Sequence, residues 1–347
     1  MRRITKLLAS VAMLLVLSLA TSCETLVDYL DLPLTPNTPT EEEYVTVSLG
    51  LDLVDLDVTY EPLTRAEENN DLYGIQVYSA VPTTENPNWQ PFAYGLFDNT
   101  DNLSINLLKG YEYKFVATML KDGKEKMHCF LDGYLHPFVI SNSVNQYMQI
   151  SDVFTYGLGA LNGLGNGYSY LQGLNGFEIY YHPNVERYYG ELEDYTPGDK
   201  GGKAKIQLKR TSFGAKFIAK GNKSNGGTLE IMMKDAPQLN LNLAESNQVS
   251  EIYTFRNVRD AWLNNSYEEV IPVTLRLVRE DGTVVPLGTH NLTYKRNATT
   301  VVNVNMDDAS EASGVGVEFL ESGELPEGDE VTIEGGEIVD TEVNTNK

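Results

Sequence analysis

The chain has 347 residues and carries 26 Lys and Arg against 49 Asp and Glu, a formal net charge of −23. A surface this acidic repels phosphate backbones and argues against a nucleic-acid partner, and no RNP, helix-turn-helix or zinc-finger pattern offsets it. Twenty-one tyrosines, many Gly and Asn turns and few long helix-period stretches predict an all-β protein, and the length predicts two domains.

Arg2, Arg3 and Lys6 open the chain, an apolar run from Leu7 to Ala20 follows, and Ala20, Thr21 and Ser22 lead into Cys23. That is the order of a secretory signal, assigned to residues 1–22. The run is short of the roughly 20 residues of a bilayer span. A cysteine at the cleavage point resembles a bacterial lipobox, with Leu19 one place further back than usual and Ala20 in its stead. The expectation is that Cys23 carries lipid. Each buried methylene contributes about 0.8 kcal/mol, so two or three chains anchor the protein in outer-membrane lipid. Cys129, in "KMHCFLDGY", is then left without a disulfide partner and is expected to be a small buried hydrophobe.

Residues 23–43, with "DLPLTPNTPTEEE", read as a Pro/Thr/Glu-rich tether. An N-terminal β-sandwich is expected over 44–150. In "YVTVSLGLDLVDLDV" Val45, Val47, Leu49, Leu51 and Leu53 alternate with polar or small residues, and the phase then shifts to Leu56 and Val58. One extra residue near Val54–Asp55 explains the shift as a bulge or a change of sheet. Further strands are expected in "YGIQVYSA", "LSINLL", "YEYKFVATML", "KMHCFLDG" and "HPFVIS", with a hairpin turning at Asp122–Gly123.

Residues 151–200 are rich in Gly, Asn, Leu and Tyr and read as a long connection or covering loop, with a strand in "FEIYYHP". A C-terminal β-sandwich is expected over 201–306, opened by two strands in "AKIQLKRTSFGAKFIAKG" and carrying an Asp281–Gly282 hairpin. "YTFRNVRDAWLNN" reads as a short helix or loop. The tail, 307–347, holds thirteen acidic residues and one lysine and is expected to be mostly disordered, with a possible strand in "DEVTIEGGEIVD".

The sequence offers no catalytic constellation and no cofactor motif. His128, His136, His182 and His290 fall in no metal-binding spacing. The glycines at 157, 159, 163, 165 and 167 are not in GxGxxG register and lack a βαβ frame. "DNTDN", Asp98 to Asn102, lacks the glycine and distal glutamate of a calcium loop and reads as a turn. Trp89, Trp262 and the pair Tyr188–Tyr189 lie in polar, loop-like contexts, where aromatic faces either stack on sugars or cap the ends of a sandwich. In "PLTRAEENN" the bond Arg65–Ala66 is open to an arginine-specific protease. Loss of the strand before it would open an apolar groove that an incoming strand fills.

The lipobox cysteine, the Pro/Thr spacer, the early strand, "LTRA", and the segments "LKRTSFGAKF" and "HNLTYKRNATTVVNVNM" together resemble the fimbrillin-like surface proteins of Bacteroides-type bacteria. That resemblance implies two transthyretin- or immunoglobulin-like β-sandwiches in tandem. It also implies a non-enzymatic adhesion role, as a fimbrial subunit or pilus anchor joined to other subunits by a donated strand. The acidic tail departs from the pattern. The competing expectation is an outer-membrane glycan-binding lipoprotein of a polysaccharide-uptake system, and a more distant one is a hydrolase with converging carboxylates.

Overall fold

The computed structural model describes residues 43–54, 70–82, 87–141, 147–174, 176–221, 226–306 and 317–321. Cys23, Arg65 and Ala66 lie outside the described residues, as do the signal, nearly all of the tether and most of the tail.

Strand alternation builds the first half. In β1 (Tyr44–Val54) Val45, Val47 and Leu49 are buried while Tyr44, Thr46 and Ser48 are exposed. The chain continues through β2 (Leu72–Ala80), β3 (Gln90–Phe97), β4 (Ser104–Leu108) and β5 (Glu112–Leu120). A single helical turn, α1 (Gly123–Lys126), leads to three short strands, β6 (Cys129–Phe130), β7 (Gly133–Tyr134) and β8 (Met148–Gln149). Next come β9 (Thr155–Tyr156), the ribbon of β10 (Ser169–Gly173) and β11 (Gly176–Tyr180), and two long strands, β12 (Arg187–Tyr195) and β13 (Gly202–Arg210).

Eight of these form one sheet in the order β4-β1-β13-β12-β5-β2-β3-β9. The sheet curls until its two ends meet: the Asn106 amide of β4 donates to the Tyr156 phenol oxygen of β9 at 3.0 Å. Phe92 meets Tyr113 and Tyr156 edge-on, with centroids 5.3 and 5.6 Å away. Val47, Ile75, Val77, Phe115, Ile206 and Leu208 fill the enclosed core. On the outer face Leu72, Leu96 and Leu120 are covered by Phe138, Leu161 and Leu164 of the segment after α1. The glycines there serve close backbone approach. A Cβ on Gly163 would overlap the Pro137 carbonyl, and one on Gly167 the Phe255 carbonyl.

The second half is a two-layer sandwich. Its elements are β14 (Ser212–Lys220), β15 (Thr228–Met233), β16 (Leu239–Asn242), β17 (Gln248–Thr254), α2 (Val258–Leu263), β18 (Glu268–Val278), β19 (Val284–Lys295), β20 (Thr299–Asn305) and β21 (Val317–Glu321). The sheets run β17-β14-β20-β21 and β16-β15-β18-β19, around a core that includes Phe217, Leu229, Val273, Val302 and Val304. The Asp281–Gly282 turn forms as expected, with Gly282 at φ 83°.

The fold is all-β, with five departures from expectation. The strand at 202–210, expected to open the second sandwich, lies in the first sheet, parallel to β1, with Val47 opposite Gly202. The second sandwich therefore begins near Ser212 rather than at 201. Alternation defines a strand's faces but not its neighbours, and a parallel pairing this far apart in sequence leaves no local mark. The Asp122–Gly123 hairpin is absent because β5 is already flanked by β2 and β12. Asp122 instead adopts a left-handed φ of 54° and starts α1. "HPFVIS" forms no strand beyond a bridge of Ile140 to Leu161. Within the tail, β21 pairs antiparallel with β20, Val302 standing opposite Phe319. Cys129 is exposed rather than buried, in a two-residue strand at the surface.

Candidate functional site: a groove where the two halves meet

Three adjacent strands present one row of side chains each to the outer face of the curled sheet. Along β12 the alternation places Arg187, Tyr189 and Glu191 outward and Tyr188 inward. Thr118 of β5 stands opposite Tyr189, and Val116 opposite both Glu191 and Gln76 of β2; Lys114 stands opposite Tyr78. The covering segment at 161–166 and Arg259 of α2 wall one side of this platform, and Trp89, just before β3, also faces it. The result is an open groove of about 460 Å³.

The wall is held by buried polar groups. The Gln76 side-chain oxygen accepts the Leu161 amide at 2.8 Å, while its nitrogen donates to the Val77 and Ala93 carbonyls. Arg187 is 1% exposed, and its guanidinium donates to the carbonyls of Asn166 (2.6 Å), Gly163 (3.0 Å) and Leu164 (2.9 Å) and to the Thr118 hydroxyl (2.9 Å). These partners are neutral. Burial pushes the Arg187 pKa down to about 9, which leaves it charged at neutral pH. Arg187 thus plants a positive charge beneath the wall and folds the 163–166 backbone around it. The Arg259 amide donates to the Gly165 carbonyl at 2.9 Å, tying α2 to the same loop.

At the groove floor Glu191 has a side chain only 2% exposed and receives Lys114 Nζ at 2.7 Å and Arg259 Nε at 2.6 Å. The Tyr189 hydroxyl donates to it at 2.5 Å, and Lys114 also reaches Glu193 at 2.6 Å. Burial alone would raise the Glu191 pKa, but hydrogen bonds from Arg259, Lys114 and Tyr189 outweigh it and hold the carboxyl at about 2. Its folded pKa lies below the ordinary 4.5, so its contribution to stability is complete above pH 4.5 and is lost as pH falls through about 2. Allowing for solvent screening at the half-exposed Arg259, that contribution is about 2 kcal/mol. Glu191→Gln is expected to remove it at neutral pH and to flatten the stability profile between pH 4.5 and 2, as read by urea unfolding at each pH.

Of the residues expected to contact sugars, Trp89 and Tyr189 line this groove. Trp262 packs edge-on behind Tyr189, centroids 5.7 Å apart. Tyr188 and Tyr189 are not a loop pair but neighbours on β12 with opposite faces. Tyr188 is in the core, donating to Glu186 at 2.6 Å and accepting from Arg210 at 3.0 Å. Lys114, Arg187, Glu191 and Arg259 were not anticipated. The signal for two of them lies in "RYYGELEDY", where strand alternation aligns Arg187 and Glu191 with Tyr189. Asp98–Asn102 is a turn, with the Asp101 amide donating to Asn99 at 2.8 Å and Asp98 paired with Lys124. His136 packs against Tyr168 and Tyr170, and buried His182 sits 3.3 Å from the Thr254 carbonyl. Among the described residues no helix is long and apolar enough to cross a membrane.

No protein-family profile matches the chain and no curated protein matches its sequence. Among solved structures it is similar to the tip fimbrial protein Mfa3 of Porphyromonas gingivalis in a C-terminally truncated form, at 10% identity and a TM-score of 0.31 over 81% of this chain and 99% of that one. A fimbrial assembly protein from Parabacteroides distasonis aligns at 9% identity and a TM-score of 0.31, over 81% and 97% of the two chains. A candidate cell-adhesion protein from Bacteroides eggerthii aligns at 11% identity and a TM-score of 0.35, over 83% and 98%.

Proposed function

We propose that the chain is a non-catalytic outer-membrane lipoprotein of the cell surface that acts in adhesion, as a fimbrial subunit or pilus anchor, and assembles by β-strand addition. The observation that supports this reading is the place of β1. It is the first strand of the described fold, it precedes Arg65–Ala66 in the chain, and it sits between β4 and β13 with Val45, Val47 and Leu49 in the core. Its departure after cleavage at Arg65 would leave a gap one strand wide, with unpaired backbone on both sides and an apolar floor. A donated strand of matching alternation satisfies both. Lipid on Cys23 would hold an uncleaved chain at the membrane.

The test is the mass of the mature N-terminus from native membranes, followed by sizing after arginine-specific cleavage. A lipid-bearing N-terminus at Cys23 identifies an anchor, and one at Ala66 an assembling subunit. A chain cut at Arg65 is expected to form oligomers, and one that stays monomeric overturns strand addition.

A second reading is favoured by the groove itself. A half-buried indole, Trp89, beside fixed hydrogen-bonding groups is the composition of a carbohydrate site.

A further inference from the structure

We propose that the groove takes an acidic sugar, a pyranose carrying a carboxylate of the hexuronate type; this rests on the glycan-binding reading above. Three observations lead there. The first is charge. Lys114 and Arg259 line the groove around one buried carboxylate, Glu191, with Glu193 half exposed beyond it, and a third cation, Arg187, lies buried behind the wall. Arg187 is the decisive member, because its hydrogen-bond partners are neutral oxygens and its charge stays uncompensated beneath the 163–166 wall. In a chain of net charge −23 this is a local positive potential in a concave, partly desolvated place, which concentrates anions.

The second is a donor left over. Arg259 spends Nε and one terminal nitrogen on Glu191, at 2.6 and 3.3 Å, and Nη1 takes no partner among the described residues. Its side chain is 49% exposed, so that edge of the guanidinium is presented to solvent at the groove. Glu191 fixes the guanidinium plane in advance, which lowers the ordering cost of receiving a carboxylate.

The third is a free ring. Trp89 lines the groove, is half-buried, and has no aromatic partner among the described residues. Other aromatic residues near the groove are spent on packing, Tyr189 against Trp262. A flat, apolar face beside a cationic donor suits the C–H face of a pyranose whose carboxylate lies at its edge.

The experiment uses the full mature chain and a short oligogalacturonide, with the same oligosaccharide fully methyl-esterified as the uncharged control. Binding is read from the fluorescence of the two tryptophans and by calorimetry. The acid form is expected to bind about tenfold tighter than the ester, with the advantage shrinking as salt is raised. Arg259→Gln is expected to bring the acid-to-ester ratio to about one, and Trp89→Ala to weaken both forms about tenfold while keeping the ratio. Both positions are partly exposed, and a single cooperative melting transition checks that each variant folds, with a modest loss expected for Arg259→Gln because Glu191 loses a partner. Equal binding of acid and ester, or binding only of neutral cello- or xylo-oligosaccharides, overturns the acidic-sugar assignment and leaves the glycan reading in place. Binding of none of these oligosaccharides overturns both.

Discussion

Arg187→Ala is expected to destabilise the protein by about 3–5 kcal/mol, because several buried oxygens lose their donor at about 1–3 kcal/mol each, partly offset by removing a buried charge. The substitution strips the carbonyls of Gly163, Leu164 and Asn166 and the Thr118 hydroxyl of a shared donor, in a place that is 1% exposed for Arg187 itself. It also leaves a cavity behind the covering segment, where the guanidinium had held the 163–166 backbone. Arg187→Lys keeps the charge but cannot reach four acceptors with one planar fork, and an intermediate loss is expected. Urea unfolding gives both values. A loss below about 1 kcal/mol for the alanine variant would mean the 163–166 backbone finds water in place of the guanidinium. Any glycan affinity should fall with Arg187→Ala, because the groove wall is the loop that Arg187 organises.

Val47→Asp is the second large effect. Val47 is fully buried, at 0% exposure, between Ile105 of β4 and Gly202 of β13. An unpaired carboxylate there costs about 4 kcal/mol or more. Leu53, on the same strand but 39% exposed, should tolerate Asp within about 0.5 kcal/mol. The contrast isolates burial from β-propensity, since both sites lie in one strand. If β1 is a detachable element, Val47→Asp should also raise amide exchange in β1 and β4 while β14 to β20 keep their protection. Uniform loss of protection would show that β1 is inseparable from the rest of the fold. Equal costs at the two sites would show that β1 is not seated as described.

The strands that sequence made legible share one property, a buried row against an exposed one. β1, β15 and β18 carry that alternation cleanly. The Asp281–Gly282 hairpin adds local turn chemistry that needs no partner elsewhere. What stayed hidden was neighbourhood. Nothing within 202–210 tells that its partner is β1, and nothing within 115–120 tells that both its edges are taken. The groove was half legible for the same reason. Trp89 announced itself as a large aromatic in a polar loop, whereas nothing local marks Arg187, whose role depends on β12 lying under a covering segment. Tyr188 and Tyr189 misled because a pair of adjacent tyrosines reads as a loop, although on a strand the two point apart and only one reaches the groove.

The parallel pairing of β1 with β13 bears on how the chain folds as it is synthesised. The amino-terminal strand appears first, and β4 can join it early across a modest loop. Its other edge has no partner until Gly202–Arg210 has emerged, so the first sheet cannot close before well over half the chain is out. Until then a strand with Val45, Val47 and Leu49 on one face stands open to solvent, at the edge where unwanted pairing starts. Late closure of this kind makes for slow folding. It also leaves the unfinished chain with an unpaired apolar edge for most of its synthesis.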